Sequence, residues 1–130
     1  MIVIDASVVV YALADDGPAG SAARQRLEAD TPLAPHLLDV EVLHMLRRQV
    51  RLGTLEARRA TRAVGDLARM ALTRVPHQGL IARAWELRDN LSAYDAVYVS
   101  LAETLEVPLV TADGRLAWTP GMRCAVEVLA

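Results

Sequence analysis

The chain has 130 residues, 53% of them hydrophobic, which suits one domain with a core of its own. Its 14 basic side chains are all arginine, which excludes lysine-dependent phosphate chemistry, and its single cysteine excludes a disulfide framework or a multi-thiolate zinc site. The net charge of −2 is unevenly spread: residues 1–43 carry two arginines against seven acids, residues 44–74 eight against two, and residues 75–130 four against seven.

The opening "MIVIDASVVVYAL" begins as a buried-type strand over "IVI" and is interrupted by Asp5 before a helix expected from Ser7 to about Ala14. Without a basic leader, and with Asp5 inside its apolar run, this segment fits neither a secretory signal nor a membrane span. Together with the lone cysteine, that makes the cytoplasm the expected compartment. Pro18 suits the first turn of a second helix, ending near Ala29. "TPLAPHLL" is extended, and from about Leu38 a helical period places Leu38, Val42, Met45, Leu46 and Val50 on one side, with Gly53 as its stop. Thr54 is the expected cap of a further helix that turns Ala60, Ala63, Val64, Leu67 and Ala71 inward and Arg58, Arg59, Arg62 and Arg69 outward.

"LTRV" reads as a short strand, followed by a helix carrying Leu80, Ile81, Ala84, Trp85 and Leu87. "SAYD" is a Ser-x-x-acid capping signature opening a helix through "AVYVSLAETL", "VPLVTAD" is a buried-type strand ending in an acid, and "CAVEVL" is a last strand in which Cys124 is expected as a small buried hydrophobe. Trp85, Tyr94 and Tyr98 stand at helical spacings and are read as core. Strands alternating with helices point to an α/β fold with a parallel sheet, whose sites lie beyond the carboxyl ends of the strands.

Four acids fall at element ends: Asp5 and Asp113 after strands, Glu41 and Asp95 in the first turns of helices. Each has an ordinary structural role open to it. Asp5 can cap a helix, Glu41 can face a helix dipole, Asp95 can complete the Ser92 capping box, and Asp113 can belong to the turn "TADGR". Four carboxylates gathered at one edge would repel each other unless a cation lay among them. An all-oxygen set of this kind favours Mg²⁺ or Mn²⁺, and phosphodiester hydrolysis by metal-activated water is the chemistry expected.

These stretches resemble the PIN-domain ribonucleases, specifically the VapC type of toxin, along nearly the whole chain. "VIDASVVVYAL" is similar to the opening strand with its first metal-binding acid, at Asp5, and Ser7 is the supporting hydroxyl. "LLDVEVLHMLRR" is similar to the second motif, with its acid at Glu41. "SAYDAVYVSLAETLEVPLVTAD" is similar to the third and fourth, with acids at Asp95 and Asp113 and a supporting hydroxyl at Thr111. His44 departs from the asparagine common at its position and is read as a neutral histidine against packed neighbours. The resemblance implies a single PIN domain over residues 1–130, a three-layer α/β/α fold with a mainly parallel sheet, and Mg²⁺- or Mn²⁺-dependent endoribonuclease activity. It also implies homodimerisation and neutralisation by a cognate VapB-type antitoxin.

Arg58, Arg59 and Arg62 are candidates for RNA or antitoxin contact, because guanidinium groups suit phosphate. Trp118, past the fourth acid, is a candidate for base stacking, with core or dimer packing as its other reading. Two rivals remain open: a non-catalytic PIN-fold interaction module, and a phosphoryl-transfer or receiver-like α/β domain. The missing lysine disfavours the second.

Overall fold

The structure, a computed structural model, describes residues 1–129. Five short strands form its centre: β1 (Ile2–Ile4), β2 (Pro32–Pro35), β3 (Thr73–Val75), β4 (Leu109–Thr111) and β5 (Val126–Val128). They pair in the order β3-β2-β1-β4-β5, every pair parallel, with Val3 opposite both Leu33 and Leu109. β1 and β4 are wholly buried, which is why "IVI" and "LVT" are unbroken runs of β-branched and aliphatic residues.

Parallel strands need crossovers, and these supply the helices. α1 (Ala6–Ala14) and α2 (Pro18–Glu28) connect β1 to β2, α3 (Leu37–Leu52) and α4 (Ala57–Arg69) connect β2 to β3, and α5 (Ile81–Glu86) and α6 (Ala93–Leu105) connect β3 to β4. The chain steps outward from β1 to β3 and then returns past β1 to β4. Right-handed crossovers in opposite directions put their helices on opposite faces, which gives the three-layer α/β/α arrangement. α1 accordingly gathers α2, α3 and α4, while α6 lies across β1, β2 and β4 with α5 against it. Because strand order reverses between β1 and β4, a crevice opens beyond their carboxyl ends.

The core joins Ile2, Ile4, Val8, Val9, Leu38, Val42, Leu101 and Leu109 in one buried cluster. Gly53 ends α3 at φ 77°, a left-handed conformation that favours glycine, and its N–H caps the carbonyls of Gln49 and Val50. Thr54 bonds back to the Gln49 carbonyl rather than capping α4, which begins three residues later without a side-chain cap. Val64 and Ala71 face solvent, because α4 is covered only along Ala60, Ala63 and Leu67 and ends before Ala71. α5 likewise buries Leu80, just before it, and Ala84 but leaves Ile81 and Trp85 outside; Trp85 is 67% exposed, with the Arg88 guanidinium 4.8 Å from its ring centroid.

The last layer is fastened by Arg83 of α5. Its guanidinium makes paired bonds of 2.6 and 3.1 Å to Glu103 of α6 and a third, 2.7 Å, to the Gly121 carbonyl. Cys124 is half-buried beside this pair, and burial pushes its thiol up. Among the described residues no helix is long and apolar enough to cross a membrane.

Candidate active site

Asp5 ends β1 and caps α1: one carboxylate oxygen accepts from the backbone N–H groups of Ser7 and Val8 and from the Ser7 hydroxyl. Its other oxygen accepts from the Thr111 hydroxyl at the end of β4. Thr111 also accepts the Asp113 N–H at 2.9 Å, and Ser7 accepts the Ala112 N–H at 3.0 Å. The two central strand ends are thus cross-linked by hydroxyls through the Asp5 carboxylate. Capping and membership of an acidic site, alternatives in sequence, coincide in one side chain because α1 starts where β1 stops.

Glu41 lies in the second turn of α3, not the first. The first-turn acid is Asp39, whose carboxylate is occupied by Arg74 at 2.7 and 2.9 Å. A helix-dipole role therefore belongs to Asp39, while Glu41 is free to face the crevice. There it accepts a 2.6 Å hydrogen bond from the hydroxyl of Tyr98 on α6. Asp95 stands in the first turn of α6, its N–H capped by Ser92 at 3.2 Å. Asp113 caps the following 3-10 turn, Gly114–Trp118, and is gripped by Arg115.

Burial pushes the Asp5 carboxyl above its ordinary range against the bonds from Ser7, Thr111 and Val8, and the charge of Asp95 adds to the rise. Burial likewise raises Glu41, opposed by Tyr98 and by the nearby His44 and reinforced by Asp95 and Asp5. Burial and the charge of Asp113 raise Asp95, with Arg115 and Ser92 opposing. Only Asp113 is lowered, by its hydrogen bond to Arg115.

Asp5, Glu41 and Asp95 therefore each feel the charge of at least one other acid of the set. As the side chains stand, however, no three His, Cys, Asp or Glu groups among the described residues converge closely enough to hold an ion. The tight four-acid convergence expected from sequence is thus not formed. Like charges repel, and each carboxylate is drawn to a local donor: Asp5 to Ser7 and Thr111, Glu41 to Tyr98, Asp113 to Arg115. In kind the donors fit Mg²⁺ or Mn²⁺, being hard oxygens in a half-buried setting where a cation would relieve their repulsion.

Tyr98 is buried as expected, but its hydroxyl has a polar role that core packing alone did not reveal. It lies one helical turn after Asp95, a spacing that places both on one face of α6. Tyr98→Phe is expected to leave the fold intact and slow any reaction at this site about tenfold, the worth of one charge-assisted hydrogen bond. Equal rates for variant and wild type would remove Tyr98 from the site.

Other expectations are corrected at this edge. His44 is exposed, not packed, because only Val42 and Leu46 of that stretch face the core. Tyr94 is exposed at the start of α6, and Trp118, 88% exposed, is not core. Arg59 is committed elsewhere, bonding the Leu13 carbonyl and Asp16, each at 2.9 Å, which pins α4 to the end of α1. Arg58 and Arg62 are exposed and form no ion pair among the described residues.

The profile of the PIN domain family matches residues 2–121. Ribonuclease VapC9 of Mycobacterium tuberculosis is 46% identical over 129 residues, 99% of this chain and 98% of that protein. Ribonuclease VapC1 of the same organism is 43% identical over 128 residues, 98% of this chain and 96% of that protein. A solved structure of VapBC2 from Rickettsia felis, bound to a DNA fragment from their promoter, covers 100% of both chains at a TM-score of 0.72 and 15% identity, a likeness of fold.

Proposed function

This chain belongs to the PIN-domain family, its relatives there being VapC ribonucleases, and from that premise we propose that it is an endoribonuclease acting as the toxin of a toxin–antitoxin pair. The observation that carries the reading is the crevice between β1 and β4, where Asp5, Glu41 and Asp95 are half-buried carboxylates, the charge of Asp95 bearing on Asp5 and Glu41 and that of Asp113 on Asp95. Asp5, Glu41 and Asp95, with Asp113 at the rim, would hold Mg²⁺ or Mn²⁺. When bound, such an ion lowers the pKa of water and stabilises charge on a phosphodiester.

The residues of the chain supply position. Ser7 and Thr111 fix both oxygens of Asp5, so its carboxylate cannot rotate away from the crevice. Tyr98 orients Glu41, and the Ser92 cap sets the first turn that carries Asp95. His44, Tyr94 and Trp118, each within five residues of one of the four acids, are exposed to solvent. A cognate VapB-type antitoxin, a homodimer and a cytoplasmic setting belong to the same reading, which treats residues 1–130 as a single PIN domain. The Rickettsia felis structure, a VapBC complex, supports the antitoxin. A basic side chain from such a partner could take the place of the cation among the carboxylates.

Purified protein freed of any partner should cleave single-stranded RNA with Mg²⁺ or Mn²⁺ and stop on addition of EDTA. Cleavage indifferent to chelator, or no cleavage with either ion, would overturn the reading. Replacing Arg58 and Arg62 together by alanine should weaken RNA binding and reduce its log–log salt slope by about 1.4, the value for two phosphate contacts on a single strand. Arg59→Ala should instead lower stability by about 1 kcal/mol in urea unfolding, because it breaks the tie to α1. An unchanged salt slope in the double variant would return Arg58 and Arg62 to a merely solvated face.

A further inference from the structure

Arg115 stands at the rim of the acid cluster, on Asp113. Its Nε and Nη2 bond the two oxygens of Asp113 at 3.0 and 2.9 Å, and its backbone N–H bonds the same carboxylate at 3.0 Å. Asp113 is its only ion-pair partner among the described residues, and the Arg115 side chain is 91% exposed. A fork that fits a carboxylate through two parallel bonds fits a phosphate equally well. The pairing is also exposed, so it is held weakly and exchanges at little cost. The charge of Arg115 reaches Asp95, which places the guanidinium within the field of the crevice.

The 3-10 turn Gly114–Trp118 has three residues per turn, so Arg115 and Trp118 stand one above the other on a single face. Leu116 is buried and anchors that turn to the core, while Trp118 is almost fully exposed. A cation-bearing side chain beside an exposed indole, next to carboxylates, has the composition of a single-strand nucleotide platform: charge for the phosphate, a ring for the base.

We propose that Arg115 is a substrate-positioning residue, which exchanges Asp113 for a phosphate of bound single-stranded RNA while Trp118 stacks on the neighbouring base. This rests on the ribonuclease reading and adds to it a residue that holds the strand. The exchange has a second consequence: while Arg115 occupies both oxygens of Asp113, that carboxylate is withheld from a cation, and RNA binding releases it.

The test uses the full chain and a labelled single-stranded RNA oligonucleotide in EDTA, with binding followed by anisotropy over a range of salt. Arg115→Ala should bind RNA about tenfold more weakly, the worth of a charge-assisted bond. Its salt slope should fall by about 0.7. Arg115→Lys should restore the slope but not the full affinity, because it keeps the charge and loses the fork. In the absence of RNA, Arg115→Ala should bind Mn²⁺ several-fold more tightly, since Asp113 is set free. RNA should quench Trp118 fluorescence in a Trp85→Phe background.

A salt slope that falls in Arg115→Ala and returns in Arg115→Lys, with Trp118 quenched by RNA, is a combination that loss of a merely structural ion pair does not produce. An unchanged RNA affinity and slope in Arg115→Ala overturns the proposal, as does a variant whose only defect is in binding an antitoxin. Failure of the ribonuclease reading looks different: wild type itself then cleaves no RNA with Mg²⁺ or Mn²⁺.

Discussion

Asp5→Asn is expected to reduce RNA cleavage at least about a hundred-fold, the scale for removing one preorganised electrostatic group, while the protein stays folded. Asparagine matches aspartate as a helix cap, so its oxygen keeps the N–H groups of Ser7 and Val8. Its amide meets the Thr111 oxygen, whose hydroxyl can turn to accept while still receiving the Asp113 N–H. What disappears is the charge. Because burial and Asp95 raise the Asp5 carboxyl, the folded state binds protons more readily than the unfolded one. Its contribution to stability is therefore greatest at low pH and is lost as pH rises through the ordinary carboxylate range and beyond. At neutral pH the ionised Asp5 is a burden that Asp5→Asn removes. In EDTA the variant should melt at or above the wild-type temperature, and Mg²⁺ should raise the melting point of wild type more than that of the variant. A folded Asp5→Asn protein that cleaves RNA at the wild-type rate would sink the assignment of Asp5.

The largest loss of stability is expected from Arg83→Ala, about 3 kcal/mol, the lower end for leaving a buried charge without its partner. The Glu103 side chain is only 9% exposed, and among the described residues its one donor apart from Arg83 is the Arg123 N–H at 2.7 Å. The Gly121 carbonyl would also lose its partner, loosening the segment that leads into β5. Burial pushes the Glu103 carboxyl up, but Arg83 and the Arg123 N–H outweigh it and hold it below the ordinary value. A lowered carboxyl stabilises the fold above the ordinary glutamate range, near pH 4.3, and that stability is lost as pH falls through it. Wild type should therefore weaken between pH 5 and pH 3 by more than the variant does. Urea unfolding at neutral and acid pH checks both statements. A loss under about 1 kcal/mol at pH 7 would place the pair among ordinary surface bridges.

Apolar periodicity and turn residues located most of the strands and helices, because these signals are local: "IVI", the Gly53 stop and the Ser92 cap each act within a few residues, whereas the proline-rich β2 was legible only as extended chain and Thr54 does not cap α4. Helical spacing alone did not tell which faces would be covered. Trp85, Tyr94 and Val64 have core-like spacing, yet the elements that carry them are covered on one side only, and all three face solvent. The same limit misplaced His44. The "LLDVEVL" run contains two acids, and only the start of α3 at Leu37 assigns Asp39 to the first turn and Glu41 to the crevice.

By itself the sequence determined that Asp5, Asp95 and Asp113 stand at the ends of elements, since a cap or a strand-end acid is read from its immediate neighbours. It also determined, through an all-arginine complement of basic residues, which phosphate chemistries were closed. Which acids become neighbours was decided by tertiary structure, through the reversal of strand order between β1 and β4. The bonds that set the site's electrostatics are long in sequence: Thr111 to Asp5 spans 106 positions and Tyr98 to Glu41 spans 57. Such contacts form only when the burial of the central strands and of α6 brings distant residues together, and no local pattern carries that information.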